Sequence, residues 1–280
     1  MQGLSNRIPE FTTSDGLTLH YTDEGAGTPI LCLAGLTRNG TDFDYVAPYL
    51  DGARLIRLDY RGRGKSGWAK YWSTYSIPVE ARDVLELLDE LALDEVAILG
   101  TSRGGLIAMA LAATVPDKLL GVCLNDIGPE IAESGLEDIR DYLGIPPTAK
   151  TYEDAVKVRA SLLPGFDDVP EERWREEVEK HYVETEEGIG LNYDPSLRDA
   201  IIEAGAQPIP DLWPLFEALT PLPCCLIRGA NSNLLTAETA AEMQARNPDM
   251  IYAEVPKRGH VPFLDEAEAL DALNEWMMLL

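Results

Sequence analysis

Short apolar runs alternate with longer amphipathic stretches along the first part of the chain. Two alternating segments, residues 9–13 and 17–22, flank Ser14-Asp15-Gly16 and predict an opening β-hairpin. The later apolar runs are typical of buried strands, and the stretches between them have helical spacing. The predicted strands are 29–34, 54–58, 96–99 and 119–124, and the predicted helices are 42–50, 78–91 and 102–114. Strands that alternate with helices predict an α/β fold with a mostly parallel sheet covered on both faces.

This alternation stops between residues 128 and 220. The segment has helical spacing, is rich in Glu and Pro, and contains no convincing buried strand. Two further strand–helix pairs follow it, at 223–228 with 237–245 and at 251–255 with 264–278. The pattern therefore predicts one α/β core domain, residues 1–127 and 221–280, interrupted by a helical cap (lid) insertion at 128–220.

The charge of the chain is strongly acidic and unevenly distributed. The 280 residues include 48 acidic and 23 basic side chains, which gives a net charge of −25. The predicted cap holds nearly half of the acidic residues and about a third of the basic ones. Such an excess disfavours nucleic acids and anionic membranes as partners, so a small-molecule substrate is expected. The oligomeric state is left open.

Two features indicate a cytoplasmic location. The N-terminal residues 1–11 lack a basic stretch followed by an apolar run, so no secretory signal is expected, and the nearly apolar stretch at 106–115 is too short to cross a membrane. The cysteines all lie in predicted strands, which favours reduced, buried side chains; they are Cys32, Cys123, Cys224 and Cys225.

One strand-to-helix turn carries a candidate nucleophile. Gly100-Thr101-Ser102-Arg103-Gly104 matches G-x-S-x-G and lies between a predicted buried strand and a predicted helix, the context that this motif requires. The glycines allow a tight turn that lifts the hydroxyl of Ser102 above the sheet, with the helix N-terminus behind it. A plain helix N-cap is the structural alternative for Ser102.

A nucleophilic serine needs a base, and the chain has three histidines. His20 lies in the opening hairpin, and His181 lies among charged residues of the cap, where a solvated helix position is expected. His260 follows the last predicted strand and is therefore on a loop at the carboxyl edge of the sheet, where Ser102 also emerges. We predict that His260 is the general base.

At this point the chain resembles the α/β-hydrolase fold superfamily, as a serine hydrolase with a helical cap. The resemblance covers nearly the whole chain outside the cap and rests on five motifs: Leu33-Ala34-Gly35-Leu36, residues 59–66 (DYRGRGKS), the serine turn, Asn125-Asp126-Ile127-Gly128-Pro129 and Gly259-His260. It implies a mostly parallel sheet of the eight-stranded type. It also implies an oxyanion hole formed by the backbone N–H groups of Leu36 and Arg103.

The acid of the implied triad is ambiguous. Relatives normally carry Asp at the position of Asn233, and an amide cannot stabilise an imidazolium with a full negative charge. Asn233 could be an inactivating substitution. Asp126, at the end of the preceding strand, could supply the acid, or it could only shape the loop into the cap. The third possibility is a protein that binds without turnover.

Other motifs are misleading or open. Residues 62–67 satisfy G-x-G-x-x-G, but no helix opens after them, and the first glycine of a P-loop is absent, so no nucleotide is expected. The histidines lack the spacing of metal ligands, so neither a metal nor a cofactor is expected. Ser102, where a dehalogenase or epoxide hydrolase carries Asp, indicates acyl transfer. Arg38 could meet a substrate carboxylate or lie on the surface.

The predicted function is that of a serine hydrolase acting on a small ester or lactone through an acyl-enzyme, in class EC 3.1.1. Two alternatives remain: a carbon–carbon bond hydrolase with the same triad, and a non-catalytic ligand-binding protein on the same fold. Aromatic residues of the cap either line the pocket or only pack cap helices together. They are Trp174, Tyr182, Tyr193, Trp213 and Phe216.

Overall fold

A computed structural model describes residues 9–207 and 210–280 of the chain. Within these residues, eight strands form one sheet in the order β1-β2-β4-β3-β5-β6-β9-β10. The strands are β1 (Glu10–Thr12), β2 (Thr18–Gly25), β3 (Thr28–Leu33), β4 (Ala53–Leu58), β5 (Val96–Thr101), β6 (Leu119–Asn125), β9 (Cys224–Gly229) and β10 (Ile251–Val255). β2 is antiparallel to both of its neighbours, β1 and β4, and all other neighbouring strands of this sheet pair in parallel. The mostly parallel α/β sheet predicted from the sequence is confirmed.

Helices cover both faces of this sheet. They are α1 (Ile77–Glu90), α2 (Arg103–Thr114), α3 (Glu133–Tyr142), α4 (Tyr152–Leu162), α5 (Glu171–His181), α6 (Leu197–Gly205), α7 (Trp213–Glu217), α8 (Ala237–Arg246) and α9 (Ala267–Met277). Apolar side chains of α1, α2, α7 and α8 form one core with the sheet, and those of α9 form another on the opposite face. Successive strand residues alternate between the two cores because side chains of a strand point to opposite faces.

The cysteines follow this alternation. All four are free and buried. Cys224 packs in the core beneath α1 and α2, whereas Cys225 packs in the core beneath α9. They behave as small apolar side chains within the two cores.

One predicted helix is wrong. Residues 42–50 form two short 3₁₀ turns, Gly40–Asp44 and Ala47–Tyr49, instead of an α-helix. Asn39 caps the first turn through its side-chain oxygen, which accepts from the N–H of Thr41. Pro48 lies within the second turn, where it has no N–H to donate to a longer helix.

The segment between β6 and β9 contains α3 to α7 and a small antiparallel hairpin of β7 (Tyr182–Thr185) and β8 (Gly188–Leu191). The prediction of a purely helical cap misses this hairpin because its two strands are only four residues long and β8 contains two glycines. The last helix of the segment, α7, packs on α2 in the main core. The division into core and cap at residues 128 and 220 stays a prediction.

No helix in the described part of the chain is long and apolar enough to cross a membrane. The expectation that no secretory signal opens the chain falls largely on residues 1–8, which lie outside the described residues.

Candidate active site

Ser102 occupies a sharp turn between β5 and α2. Its φ of 49° lies in the left-handed region, which a non-glycine residue adopts only when the surrounding structure holds it there. The two motif glycines are required by close contacts. A Cβ on Gly104 would lie 2.1 Å from the carbonyl oxygen of Leu33, and one on Gly100 would lie 2.7 Å from the carbonyl carbon of Gly104. The strand and the helix therefore approach closely enough to fix the position of the serine.

His260 lies on the loop after β10, and its ring contacts Ser102. Its Nε2 is 2.9 Å from the Oγ of Ser102, and its Nδ1 is 2.7 Å from Oδ2 of Asp126. The side-chain amide of Asn125 donates to the carbonyl oxygen of Pro262 at 3.2 Å, which ties this loop to the end of β6. Serine, histidine and aspartate thus form one continuous chain of hydrogen bonds.

Asp126 directly follows β6 and is fully buried, with a φ of 55°. Its carboxylate also accepts from the backbone N–H of Gly229 at 2.8 Å and from the hydroxyl of Ser232 at 2.6 Å. An ionised carboxylate offers only acceptors, so the His260 proton lies on Nδ1 and its Nε2 is left to accept from the serine. This is the tautomer that a general base needs.

Asn233 is not part of this arrangement. Its amide nitrogen donates to the carboxylate of Asp138, and its backbone carbonyl accepts from the hydroxyl of Ser134 at 3.0 Å. Both ring nitrogens of His260 already have partners. Of the two candidate acids, the structure brings Asp126 to the histidine and directs Asn233 to the surface of α3.

The N–H groups of Leu36 and Arg103 have no backbone or side-chain acceptor within residues 9–207 and 210–280. Arg103 is the first residue of α2, where backbone N–H groups lack a partner inside the helix. Leu36 follows Gly35, on which a Cβ would lie 3.9 Å from the Cβ of Ser102. Two free donors therefore flank the serine, as an oxyanion hole requires.

A buried ion cluster that sequence analysis missed holds both donor residues. Glu80 on α1 accepts from Nε of Arg103 at 2.6 Å and from Nη1 of Arg63 at 2.7 Å, and Nε of Arg63 donates to the carbonyl oxygen of Leu36 at 2.8 Å. Glu80 and Arg63 are fully buried. Burial alone would raise the pKa of Glu80, but the charges of Arg103 and Arg63 hold it below its usual value. One carboxylate thus connects the two turns that flank Ser102.

The glycine-rich loop at residues 62–67 surrounds a carboxylate of the protein itself, that of Asp59. The carboxylate of Asp59 accepts from the N–H groups of Gly40 and Lys65, at 2.8 and 3.0 Å, and a Cβ on Gly64 would lie 2.4 Å from its Oδ2. The same carboxylate contacts Nδ1 of His20 at 3.0 Å, so this histidine is buried and distant in the fold from Ser102. The glycine of this loop that makes it resemble a nucleotide-binding motif is required by its close packing on Asp59.

The expectations for Arg38 and His181 are corrected by their burial. Arg38 is neither on the surface nor free for a substrate, because it donates to Asp42 at 2.8 Å and to Glu177 at 2.8 Å. His181 is not solvated but only 6% exposed, with its Nδ1 3.1 Å from Nη1 of Arg38. Burial, together with the charges of Arg159 and Arg38, holds the pKa of His181 well below its usual value.

The segment between α4 and α5 lies on the loop of His260. A Cβ on Gly259 would lie 2.4 Å from the carbonyl oxygen of Pro164 and 3.2 Å from the ring of Phe166. Trp174 on α5 packs edge-on against Phe166, with ring centroids 5.8 Å apart, and against Phe263, at 6.4 Å. Trp174 therefore joins the predicted cap to the histidine loop.

The other cap aromatics pack elsewhere. Trp213 and Phe216 contact each other at 5.9 Å and pack in the core beneath α1 and α2. Tyr182 and Tyr193 pack edge-on against the ring of His181, at 4.9 and 6.3 Å. These four aromatic residues therefore pack against other side chains of the protein.

Comparisons with known proteins assign the chain to a family. A family model described as alpha/beta hydrolase fold matches residues 28–267. The chain is 39% identical over 249 residues to a 3-hydroxybutyrate-oligomer hydrolase of Cupriavidus necator, covering 85% of each protein. It is 26% identical over 246 residues to a 2-(acetamidomethylene)succinate hydrolase of Mesorhizobium japonicum, covering 87% of this chain and 85% of the relative.

Among solved structures, an alpha/beta hydrolase from Novosphingobium aromaticivorans is similar to the chain with a TM-score of 0.91 and 35% identity. The match covers 97% of this chain and 98% of that one. The family model spans most of the sequence, and the mostly parallel sheet flanked by helices agrees with it. The chain is therefore a hydrolase that belongs to the alpha/beta hydrolase fold family.

Proposed function

We propose that the protein is a serine hydrolase that cleaves a small carboxylic ester through an acyl-enzyme. The observation that carries the proposal is the hydrogen-bonded chain from Ser102 through His260 to Asp126. Ser102 Oγ attacks the ester carbonyl carbon while Nε2 of His260 takes the hydroxyl proton. The N–H groups of Leu36 and Arg103 stabilise the oxyanion of the tetrahedral intermediate.

The imidazolium of His260 then gives its proton to the leaving alkoxide oxygen, and the acyl group stays on Ser102. A water molecule attacks this acyl-enzyme in the second half-reaction, and His260 takes a proton from it. Collapse of the second intermediate releases the carboxylic acid and returns the proton to Ser102. Asp126 stays ionised throughout, orients the ring and stabilises its positive charge.

The substrate class rests on relatives as well as on the chemistry. The relative from Cupriavidus necator is named for oligomers of 3-hydroxybutyrate, whose monomers are joined by ester bonds. A short hydroxy-acid ester is therefore the substrate we propose for this chain. The non-catalytic alternative depended on Asn233, and it loses that support because Asp126 contacts the histidine.

We also propose a cytoplasmic location. The four cysteines are free and buried in the two cores. Cys123 and Cys225 are direct neighbours on the paired strands β6 and β9. Free thiols at adjacent positions are expected in a reducing compartment.

Labelling with a fluorophosphonate tests the proposed nucleophile. The probe should form one stable adduct with the wild-type protein, located by peptide mass spectrometry at Ser102. The Ser102→Ala variant should give no adduct and no turnover of p-nitrophenyl acetate and butyrate. Ser134→Ala, at an exposed hydroxyl, serves as the matched control and should label normally. An unlabelled wild-type protein, or hydrolysis that survives Ser102→Ala, would contradict the proposal.

A further inference from the structure

Arg159 is a buried arginine that forms no salt bridge within residues 9–207 and 210–280. It lies on α4 and is 9% exposed. Its Nε is buried without a hydrogen-bond partner, and its guanidinium forms no salt bridge with any described residue. Removing an arginine from water without a partner is expensive. A buried arginine without a partner therefore indicates a functional role that offsets the free-energy cost of its burial.

Two observations relate Arg159 to the active site. Its charge acts on Arg38 and Glu177, which lie next to the turn that carries the Leu36 N–H. Five residues further along the chain, the carbonyl oxygen of Pro164 touches Gly259, the neighbour of the catalytic histidine. Arg159 therefore lies near Arg38, whose Cγ would be 3.4 Å from a Cβ on Gly35, and the same Cβ would be 3.9 Å from the Cβ of Ser102.

The neighbouring carboxylates are already engaged. Asp42 accepts from Nε of Arg38 through both of its oxygens, at 2.9 and 2.8 Å, and Glu177 accepts from Nη2 at 2.8 Å. His181 accepts from Nη1 of the same arginine. The N–H donors of Arg38 are thus bound to protein acceptors, whereas the Nε of Arg159 has no such acceptor. Burial, and after it the charge of Arg38, lowers the pKa of Arg159, and the charge of Glu177 offsets only part of this effect.

We propose that Arg159 binds a free carboxylate of the substrate, so that the enzyme is selective for esters that carry an anionic group. A guanidinium presents parallel N–H donors that match the two oxygens of a carboxylate. The inference rests on the proposed function, since it assigns a substrate class to the site of Ser102. It makes Arg159 a specificity-determining residue and leaves the chemical steps to Ser102, His260 and Asp126.

Matched pairs of esters test this selectivity. Mono-p-nitrophenyl glutarate and p-nitrophenyl pentanoate have equal acyl lengths and differ in one carboxylate. 3-Acetoxybutyrate and its methyl ester place the same difference on the alcohol side. Arg159→Met should lower kcat/KM for the anionic member of at least one pair by about 10- to 100-fold, as loss of charge-assisted hydrogen bonds predicts, and should change the neutral member less than about threefold. Arg159→Lys should recover part of the loss.

Arg175→Met is the matched control, because Arg175 is an exposed arginine of the same insertion that pairs with Glu153 and Glu179. It should leave all four esters unchanged. Equal losses on anionic and neutral esters in Arg159→Met would show a structural role for this arginine and overturn the proposal. Wild-type selectivity that survives in Arg159→Met would also overturn it.

A binding measurement separates this inference from the proposed catalysis. Monomethyl glutarate, titrated calorimetrically into the Ser102→Ala protein, should bind, and the added Arg159→Met substitution should weaken it about tenfold or more. The result does not depend on turnover. Binding of equal strength with and without Arg159, or no binding to the Ser102→Ala protein, would overturn the carboxylate site even if Ser102 proves to be the nucleophile.

Discussion

The carboxylate of Asp126 decides how the imidazole of His260 is oriented. Replacing it by an amide in Asp126→Asn keeps the volume and the contact to the Gly229 N–H but removes the negative charge that stabilises the imidazolium. We expect kcat for a p-nitrophenyl ester to fall by about 10⁴-fold, as in other serine hydrolases in which this aspartate is replaced, with little change in KM. Steady-state kinetics with active-site titration checks the value.

Asn233→Asp is the informative partner of this variant. Asn233 donates to Asp138 instead of facing the histidine, so a new carboxylate there should leave kcat within about threefold and cost at most about 1 kcal/mol of stability through repulsion. The opposite pair of results, a large gain from Asn233→Asp and no loss from Asp126→Asn, would return the acid to the position that relatives normally use.

Ser102 and His260 are predictable from the sequence because each follows a predicted strand at the same sheet edge. The acid was not decided by this reasoning. Both Asp126 and Asn233 also follow strands that end at that edge. The choice between them depends on side-chain direction, which is set by the left-handed backbone of Asp126 and by the hydrogen bond from Asn233 to α3. Neither feature produces a periodic pattern of apolar and polar residues in the sequence.

Helix α1 positions the oxyanion donors through a single acidic side chain. Glu80→Gln would leave Arg63 and Arg103 buried without their counter-charge. Removing one partner of such a cluster costs about 3–5 kcal/mol of the free energy of unfolding. Because Arg63 also holds the carbonyl of Leu36, we expect kcat to fall with a smaller change in KM. Urea unfolding and ester kinetics below the transition midpoint measure the two effects.

Glu90→Gln, at the exposed end of the same helix, controls for removal of a negative charge from α1. It should change neither kcat nor stability beyond about 0.5 kcal/mol, as is usual for surface substitutions. If Glu80→Gln loses stability but keeps the wild-type kcat, Glu80 is a structural residue only and the oxyanion turns are held by other contacts.

The elements themselves were predictable to different degrees. The strands of the core are short apolar runs buried on both faces, and the sequence predicted them within one or two residues. The turns at 40–49 and the hairpin of β7 and β8 were missed, because elements of three to five residues are too short to show an apolar period. Glu80 interrupts the apolar face of α1 beside Val84 and Leu87, a sequence signal that could have indicated a buried ion pair.

At the scale of the whole molecule, the net charge of −25 conceals buried positive groups at the centre. Arg38, Arg63, Arg103 and Arg159 are all largely buried. Most acidic side chains are exposed or half-buried. The net charge of the sequence therefore describes the surface of the molecule and not the charge of its interior.

This internal charge makes stability depend on pH through His181. Burial and the nearby Arg159 and Arg38 hold its pKa well below 6.5 in the folded protein, while the unfolded chain takes up the proton at about 6.5. The unfolded state therefore binds more protons in acid, and stability should fall as the pH drops below about 6.5, by up to about 1.4 kcal/mol per pH unit.

His181→Asn tests this dependence, because its amide oxygen can still accept from Arg38 but does not titrate. The facing groups are Arg38, Arg159, Glu177, Tyr182 and Tyr193, and all of them remain in the variant. In urea unfolding at pH 7.5, 6.5 and 5.5, the free energy of unfolding should fall less steeply toward acid pH in the variant than in the wild type. Equal slopes in the two proteins would mean that His181 takes up its proton in the folded state as readily as in the unfolded chain, and that the buried arginines do not govern it.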